Sequence, residues 1–354
     1  MQVESKQTTT FRLMYGDAVR ILGSMAVVII HVCADGMPQY TTIPFTSWLN
    51  LLCLDSLSRW CVPIFIMLSG ALLLDPGKKQ TLTEFYSKRF KRVGYPLIFW
   101  TVVYLIWDAY FIRHGIRLGH ISLSILQGLP YYHLHFMFAL VGLYAVTPFL
   151  REILDNRNGR VSLQAITICL LMGVLNDIAL ARYSGGMTAT TLFVQYIGFF
   201  LAGYRLRQGR LNRRQIAAAL TGFIISVGLT MVWAVYGLHQ HYRYSMISWS
   251  LDYLSPMTIT SSITMWLLLR HFFSEGAGKR LMTQQWIINC GRATLGIYLI
   301  HPLIKEILQN QGFCQVSTYS LADILSVSLT IWMISLVCTI AMLKVKPMRL
   351  FIGG

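Results

Sequence analysis

Long apolar runs recur along the chain from about residue 18 to residue 343, separated by short polar stretches rich in Lys and Arg. Crossing the hydrocarbon core takes about 20 helical residues. Runs of that length lie at 18–38, 51–74, 94–112, 131–150, 161–180, 188–206, 215–237, 251–272, 286–308 and 321–343. The pattern predicts an all-α, polytopic transmembrane bundle of about ten helices. No polar block is long enough for a soluble domain, so residues 1–354 are expected to form a single membrane domain with short tails at 1–16 and 344–354. Arg20 lies inside the first run and no small-residue cleavage site follows it, so this run is read as a helix and not as a signal peptide.

Composition supports this reading. Only 12% of the residues are charged and 55% are hydrophobic, whereas a soluble domain carries about 25% charged residues. The formal charge of +16 would suggest nucleic acid in a water-soluble chain, but its placement points elsewhere. With both termini inside, 22 of the 30 Lys and Arg fall on cytoplasmic segments, against Arg113, Arg117, Arg182 and Arg243 on the other face. This is the bias that sets membrane orientation. The seven cysteines are scattered and show no metal-ligand spacing with histidine, so no metal is expected.

An ionisable residue inside a span costs several kcal/mol unless paired or hydrated, which makes each one a functional candidate. Within the runs lie Arg20, His31, Asp55, Arg59, Asp108, His133, His135, Asp177, Asp252, Arg292, His301, Lys305 and Glu306. Arg20 and His31 are eleven residues apart, so on a helix they share one face at an axial separation of about 16 Å. An arginine at the inner mouth suits a phosphate, and a histidine deeper on the same face suits proton transfer. Together they suit a long ligand, phosphorylated at one end and reactive at the other. Spacing alone is equally compatible with Arg20 following the positive-inside bias while His31 bonds a neighbouring helix.

The second run carries Pro63 and the Ser69–Gly70 pair, which suit a packing seam or a substrate contact, and Arg59 has Asp55 four residues before it. The loop before Pro96 holds six positive charges. Arg89 and Arg92 there lie three apart, on one side if helical, and could hold an anionic cytosolic ligand. His133 and His135, two apart, point in different directions on a helix, so one of them is expected to face a cavity. His301 should lie about 22 Å from the inner end of its span, level with His31 and His133.

These features carry a resemblance. Asp17-Ala18-Val19-Arg20 through Ala26-Val27-Val28 to His31 is similar to the Arg-x10-His helix of the acyltransferase-3 family of integral-membrane acyltransferases, which includes bacterial O-acetyltransferases of surface polysaccharides. Val62-Pro63-Ile64-Phe65, Leu68-Ser69-Gly70, Arg89-Phe90-Lys91-Arg92 with Pro96, His133-Leu134-His135-Phe136 leading to Tyr144 and Pro148, and Gly296 through His301 follow in the family's order. The likeness covers most of the chain and is nearest the stand-alone type that acetylates enterobacterial common antigen. His135 stands where the family commonly has Trp.

The resemblance implies a multi-pass protein of the bacterial inner membrane that takes acetyl-coenzyme A from the cytoplasm and acetylates a hydroxyl of a surface glycan or lipid-linked saccharide. Arg20, Arg89 and Arg92 would hold the coenzyme. His31 would be general base or acetyl carrier, with Ser69 or His133 as oxyanion donor, and His301, His135 and Arg59 are assigned to the acceptor. A cavity open to both sides is expected between donor and acceptor. Some members carry an SGNH-hydrolase-like domain after the membrane part. Here the chain stops eleven residues past the last run, so its chemistry is expected to finish in the membrane or to pass to a glycan-assembly partner, and self-association is a further expectation. The alternative is a glycan or polar-lipid transporter, which would use the buried charges for passage.

Overall fold

A computed structural model describes residues 13, 15–77, 80–112, 118–156, 163–182, 188–274, 276–313 and 319–354. Lys6, Arg12, Lys78, Lys79, Arg113, Arg117, Arg157, Arg160 and Cys314 lie outside them, as do the side chains of Asp177 and Arg182. The helices are α1 (Gly16–Gly36), α2 (Phe45–Ser58), α3 (Cys61–Leu73), α4 (Leu82–Arg89), α5 (Tyr95–Trp107), α6 (Leu118–Leu126), α7 (His135–Asn156), α8 (Leu163–Arg182), α9 (Ile197–Arg205), α10 (Arg213–His239), α11 (Tyr244–Ile247), α12 (Pro256–Ser274), α13 (Gly276–Met282), α14 (Gln285–Asn310), α15 (Leu321–Lys344) and α16 (Lys346–Arg349). No strand occurs among the described residues.

Seven helical stretches among the described residues are long and apolar enough to cross a membrane: Gly16–Gln39, Phe45–Leu73, Leu82–Phe111, His135–Asn156, Arg213–His239, Gln285–Asn310 and Leu321–Lys344. The other three expected spans take different forms. The 161–180 run is α8. The 188–206 run holds only a short 3-10 turn and the nine residues of α9, about 13 Å of helix and too short to span. The 251–272 run becomes α12, where Thr260, Ser261, Ser262 and Thr264 each donate to a carbonyl of their own helix. These bonds allow a hydroxyl-rich helix to be buried at the cost of lower hydropathy.

Prolines account for the main departures from straight helices. The expected single helix at 51–74 begins at Phe45 and breaks at Arg59–Trp60, because Pro63 has no N–H for the Arg59 carbonyl. Pro96 likewise has no N–H for the Arg92 carbonyl. The chain there passes from α4 into α5 through a π-turn, Phe90–Gly94. The six-charge segment expected as a loop is therefore mostly helical, starting at Thr81, whose hydroxyl caps the Glu84 amide.

α1 packs against α2, α3, α14 and α15. α3 and α9 cross at backbone contact: a Cβ added at Gly70 would lie 1.8 Å from the Phe200 carbonyl oxygen, and one at Gly203 would lie 1.9 Å from that of Met67. This is the close approach that small residues permit between membrane helices. α10 and α15 expose Ile224, Ile225, Leu229, Val232, Leu329, Met333 and Val337, as suits helices facing lipid.

Candidate functional site

α1 presents Arg20 and His31 as its periodicity predicts, and neighbouring helices build a separate environment around each. Arg20 lies on a cavity of about 140 Å³ together with Ser69 of α3, Arg89 at the end of α4, Arg92 of the π-turn and Arg292 of α14. Phe65, Leu68, Leu72 and Leu140 form apolar walls. Arg20 is paired with the buried Asp17 at 2.7 Å, and the buried Nε of Arg89 has no hydrogen-bond partner. The C-terminal Gly353 completes the rim: a Cβ there would meet the Arg92 carbonyl oxygen at 2.7 Å and Leu295 at 2.5 Å. A cavity lined by four guanidiniums and no carboxylate other than the partner of Arg20 suits a polyanion with an apolar tail.

His31 stands in the second environment. Its ring stacks on His301 at 5.2 Å and lies 4.9 Å from Tyr132. His133 is 5.8 Å from His301 and is enclosed by Tyr104, Tyr131 and Tyr298. The three histidines predicted at one depth are thus brought together. His133 precedes α7 in a turn instead of lying on the helix, which turns its ring toward α14. His301 directs Nδ1 to the carbonyl oxygens of Tyr298 (2.8 Å) and Ile297 (3.2 Å). Its proton therefore sits on Nδ1 and Nε2 offers a lone pair. That Nε2 and both ring nitrogens of His133 are buried without a partner among protein atoms. Buried polar atoms are normally satisfied, so three orphans within one cluster mark a place for a polar guest.

The other predicted residues fall elsewhere. Ser69 lines the arginine cavity, four residues from the end of α3, and is not among the histidines. Arg59 is held by both oxygens of Asp55, at 2.5 and 2.7 Å, at the α2–α3 break, and its guanidinium lies 5.8 Å from the Tyr253 ring. His135 points away from His133, bonds the Tyr132 carbonyl at 2.9 Å, and stacks on Tyr253. None of the three histidines lines the arginine cavity, whose wall includes Phe136 and Tyr298, with ring centroids 5.6 Å apart.

Sequence reasoning named Lys305 and Glu306 as candidates without giving them a role, and did not name Asp35. Lys305, four residues beyond His301, donates to the backbone carbonyl of His31 (2.9 Å) and to Asp35 (2.6 Å), and Asp35 also accepts from Gln309. Glu306 accepts from Trp107 at 2.5 Å and from Tyr131. Buried ionisable residues were the available signal, but which partner each would meet depends on packing. Replacing Lys305 with Met should lower stability by about 1–2 kcal/mol. Hydrogen bonds to charged groups are worth about 1.5–3 kcal/mol, and the Asp35 side chain is 41% exposed, which weakens its share. The check is the unfolding temperature in detergent, where Lys305→Arg should recover most of the loss; an unchanged Lys305→Met value would show the anchor to be idle.

A family model described as an acyltransferase domain matches residues 15–343. No curated protein and no solved structure matches the chain.

Proposed function

The chain belongs to the acyltransferase-3 family and is a multi-pass membrane acyltransferase, and from that premise we propose that it is an O-acetyltransferase of the bacterial inner membrane. It takes acetyl from cytosolic acetyl-coenzyme A and places it on a hydroxyl of a surface glycan or lipid-linked saccharide. The observation carrying this reading is the pairing of an arginine-lined cavity with a buried histidine cluster, joined along the same faces of α1 and α14. On α1 the two ends are about 16 Å apart, which suits a ligand whose anionic and reactive ends are far apart.

In this reading Arg20, Arg89 and Arg92 hold the phosphates, and the thioester passes the Phe136–Tyr298 pair to reach His31. His31 removes the acceptor hydroxyl proton as that oxygen attacks the thioester carbonyl. The new C–O bond forms, the C–S bond breaks, and the thiolate leaves with the proton returned by His31. A hydrogen on His133 is directed to the oxyanion, while Nε2 of His301 accepts from a further acceptor hydroxyl. If His31 carries acetyl between two half-reactions, the same groups serve both steps.

The test is to incubate membranes containing the protein with isotopically labelled acetyl-coenzyme A and identify the labelled saccharides by mass spectrometry. Label in a saccharide absent from control membranes is the expected result, and equal labelling in the two would overturn the reading. Coenzyme A should also raise the unfolding temperature of the purified protein, by an amount that shrinks in Arg20→Ala. A transporter acting on the saccharide alone would show no such shift.

A further inference from the structure

Arg292 lies on the same cavity as Arg20, Arg89 and Arg92 but comes from a different helix, α14, and no role has yet been given to it. Its helix neighbour Gly291 abuts α1, where an added Cβ would stand 2.7 Å from a carboxylate oxygen of Asp17. This contact fixes Arg292 beside the Asp17–Arg20 pair. Continuing along α14, Leu295 and Tyr298 also line the cavity, and His301 follows one step further. Arg292 thus heads a row spaced by three residues that leads to the histidine cluster, about 13 Å away along the axis.

Charge and exposure then sort the four arginines. Arg20 and Arg89 are partly buried, whereas Arg92 and Arg292 are exposed at the rim. Four guanidiniums less the Asp17 carboxylate leave three positive charges along the wall. A diphosphate alone would leave part of that charge unmatched. A ligand with an additional phosphate monoester brings about −1.5 to −2 more and matches it with two separate anionic groups. Resting on the reading above, we propose that Arg292, with Arg92 on the same cavity, binds the ribose 3′-phosphate of coenzyme A and makes the protein discriminate against 3′-dephospho-coenzyme A.

The experiment titrates purified protein in detergent with coenzyme A and with 3′-dephospho-coenzyme A, following thermal stabilisation or calorimetry, for the unaltered chain and for Arg292→Gln and Arg292→Lys. The unaltered protein should bind coenzyme A about ten- to a hundredfold more tightly than the dephospho form. Arg292→Gln should lose most of that preference by weakening coenzyme A alone, and Arg292→Lys should keep part of it. Equal affinity of the unaltered protein for both compounds would overturn the proposal, as would an Arg292→Gln variant that weakens both equally or neither. In each of those cases the acetyl-coenzyme A reading survives. If neither compound binds the unaltered protein, that reading falls as well, so the two failures are distinguishable.

Discussion

Acetyl transfer should fall by about 10²- to 10⁴-fold, the contribution of a positioned general base, when His31 is replaced with alanine. The loss should be larger if His31 also carries the acetyl group. Its ring is only partly buried and its side-chain contacts are with His301 and Tyr132, so the variant should insert and unfold in detergent close to the unaltered temperature. The bond from Lys305 to residue 31 runs to the backbone carbonyl and survives the change. Measured against the same acceptor, His301→Ala should keep more activity, because its place in the reading is to bind acceptor and not to move the proton. Native-rate transfer by purified His31→Ala would remove histidine from the chemistry and with it the proposed mechanism.

Gly203→Ala should cause one of the largest losses of folded protein for a single methyl added to the bundle. The new Cβ would sit 1.9 Å from the Met67 carbonyl oxygen and 2.4 Å from its carbon, which are backbone atoms of the facing helix and cannot rotate aside. Overpacking typically costs about 1–3 kcal/mol and more where the neighbour is rigid, so at least the upper part of that range is expected. α3 carries Leu68, Ser69 and Leu72 of the arginine cavity, so separating α3 from α9 should also weaken coenzyme A binding. Gly228 is the control, since an added Cβ there meets nothing within 4 Å. Size-exclusion profiles and unfolding temperatures of Gly203→Ala and Gly228→Ala would decide it, and equal behaviour of the two would show that the crossing is looser than described.

Period and charge made some features legible in the sequence and left others hidden. The shared face of Arg20 and His31 follows from helical periodicity within one continuous run, and neither residue needs knowledge of its neighbours. The run at 188–206 reads as a span because hydropathy counts apolar residues without knowing where the chain turns, whereas Ala189 through Tyr196 form turns ahead of a short helix. The π-turn at Phe90–Gly94 was hidden too, although Pro96 was the clue to it. Arg292 and Lys305 were both visible as charges inside a run. Arg292 shares its cavity with Arg20, 272 positions away, and Lys305 bonds the carbonyl of His31, 274 positions away; separations of that size are fixed only by packing. The three orphaned ring nitrogens of His133 and His301 belong to the same class, since only the assembled bundle shows that nothing reaches them.

The placing of the bulky Phe136 and Tyr298 rings on the wall of the arginine cavity has a bioenergetic consequence for the proposed reading. Tyr298 is held on the cavity wall by donating its hydroxyl to the His133 backbone carbonyl, with the Phe136 ring beside it. An envelope enzyme that left an open watery channel between the faces of an energised membrane would short-circuit the proton-motive force on which the cell depends. In the proposed reading, rings that close behind the thioester would let the idle protein be abundant without draining the voltage.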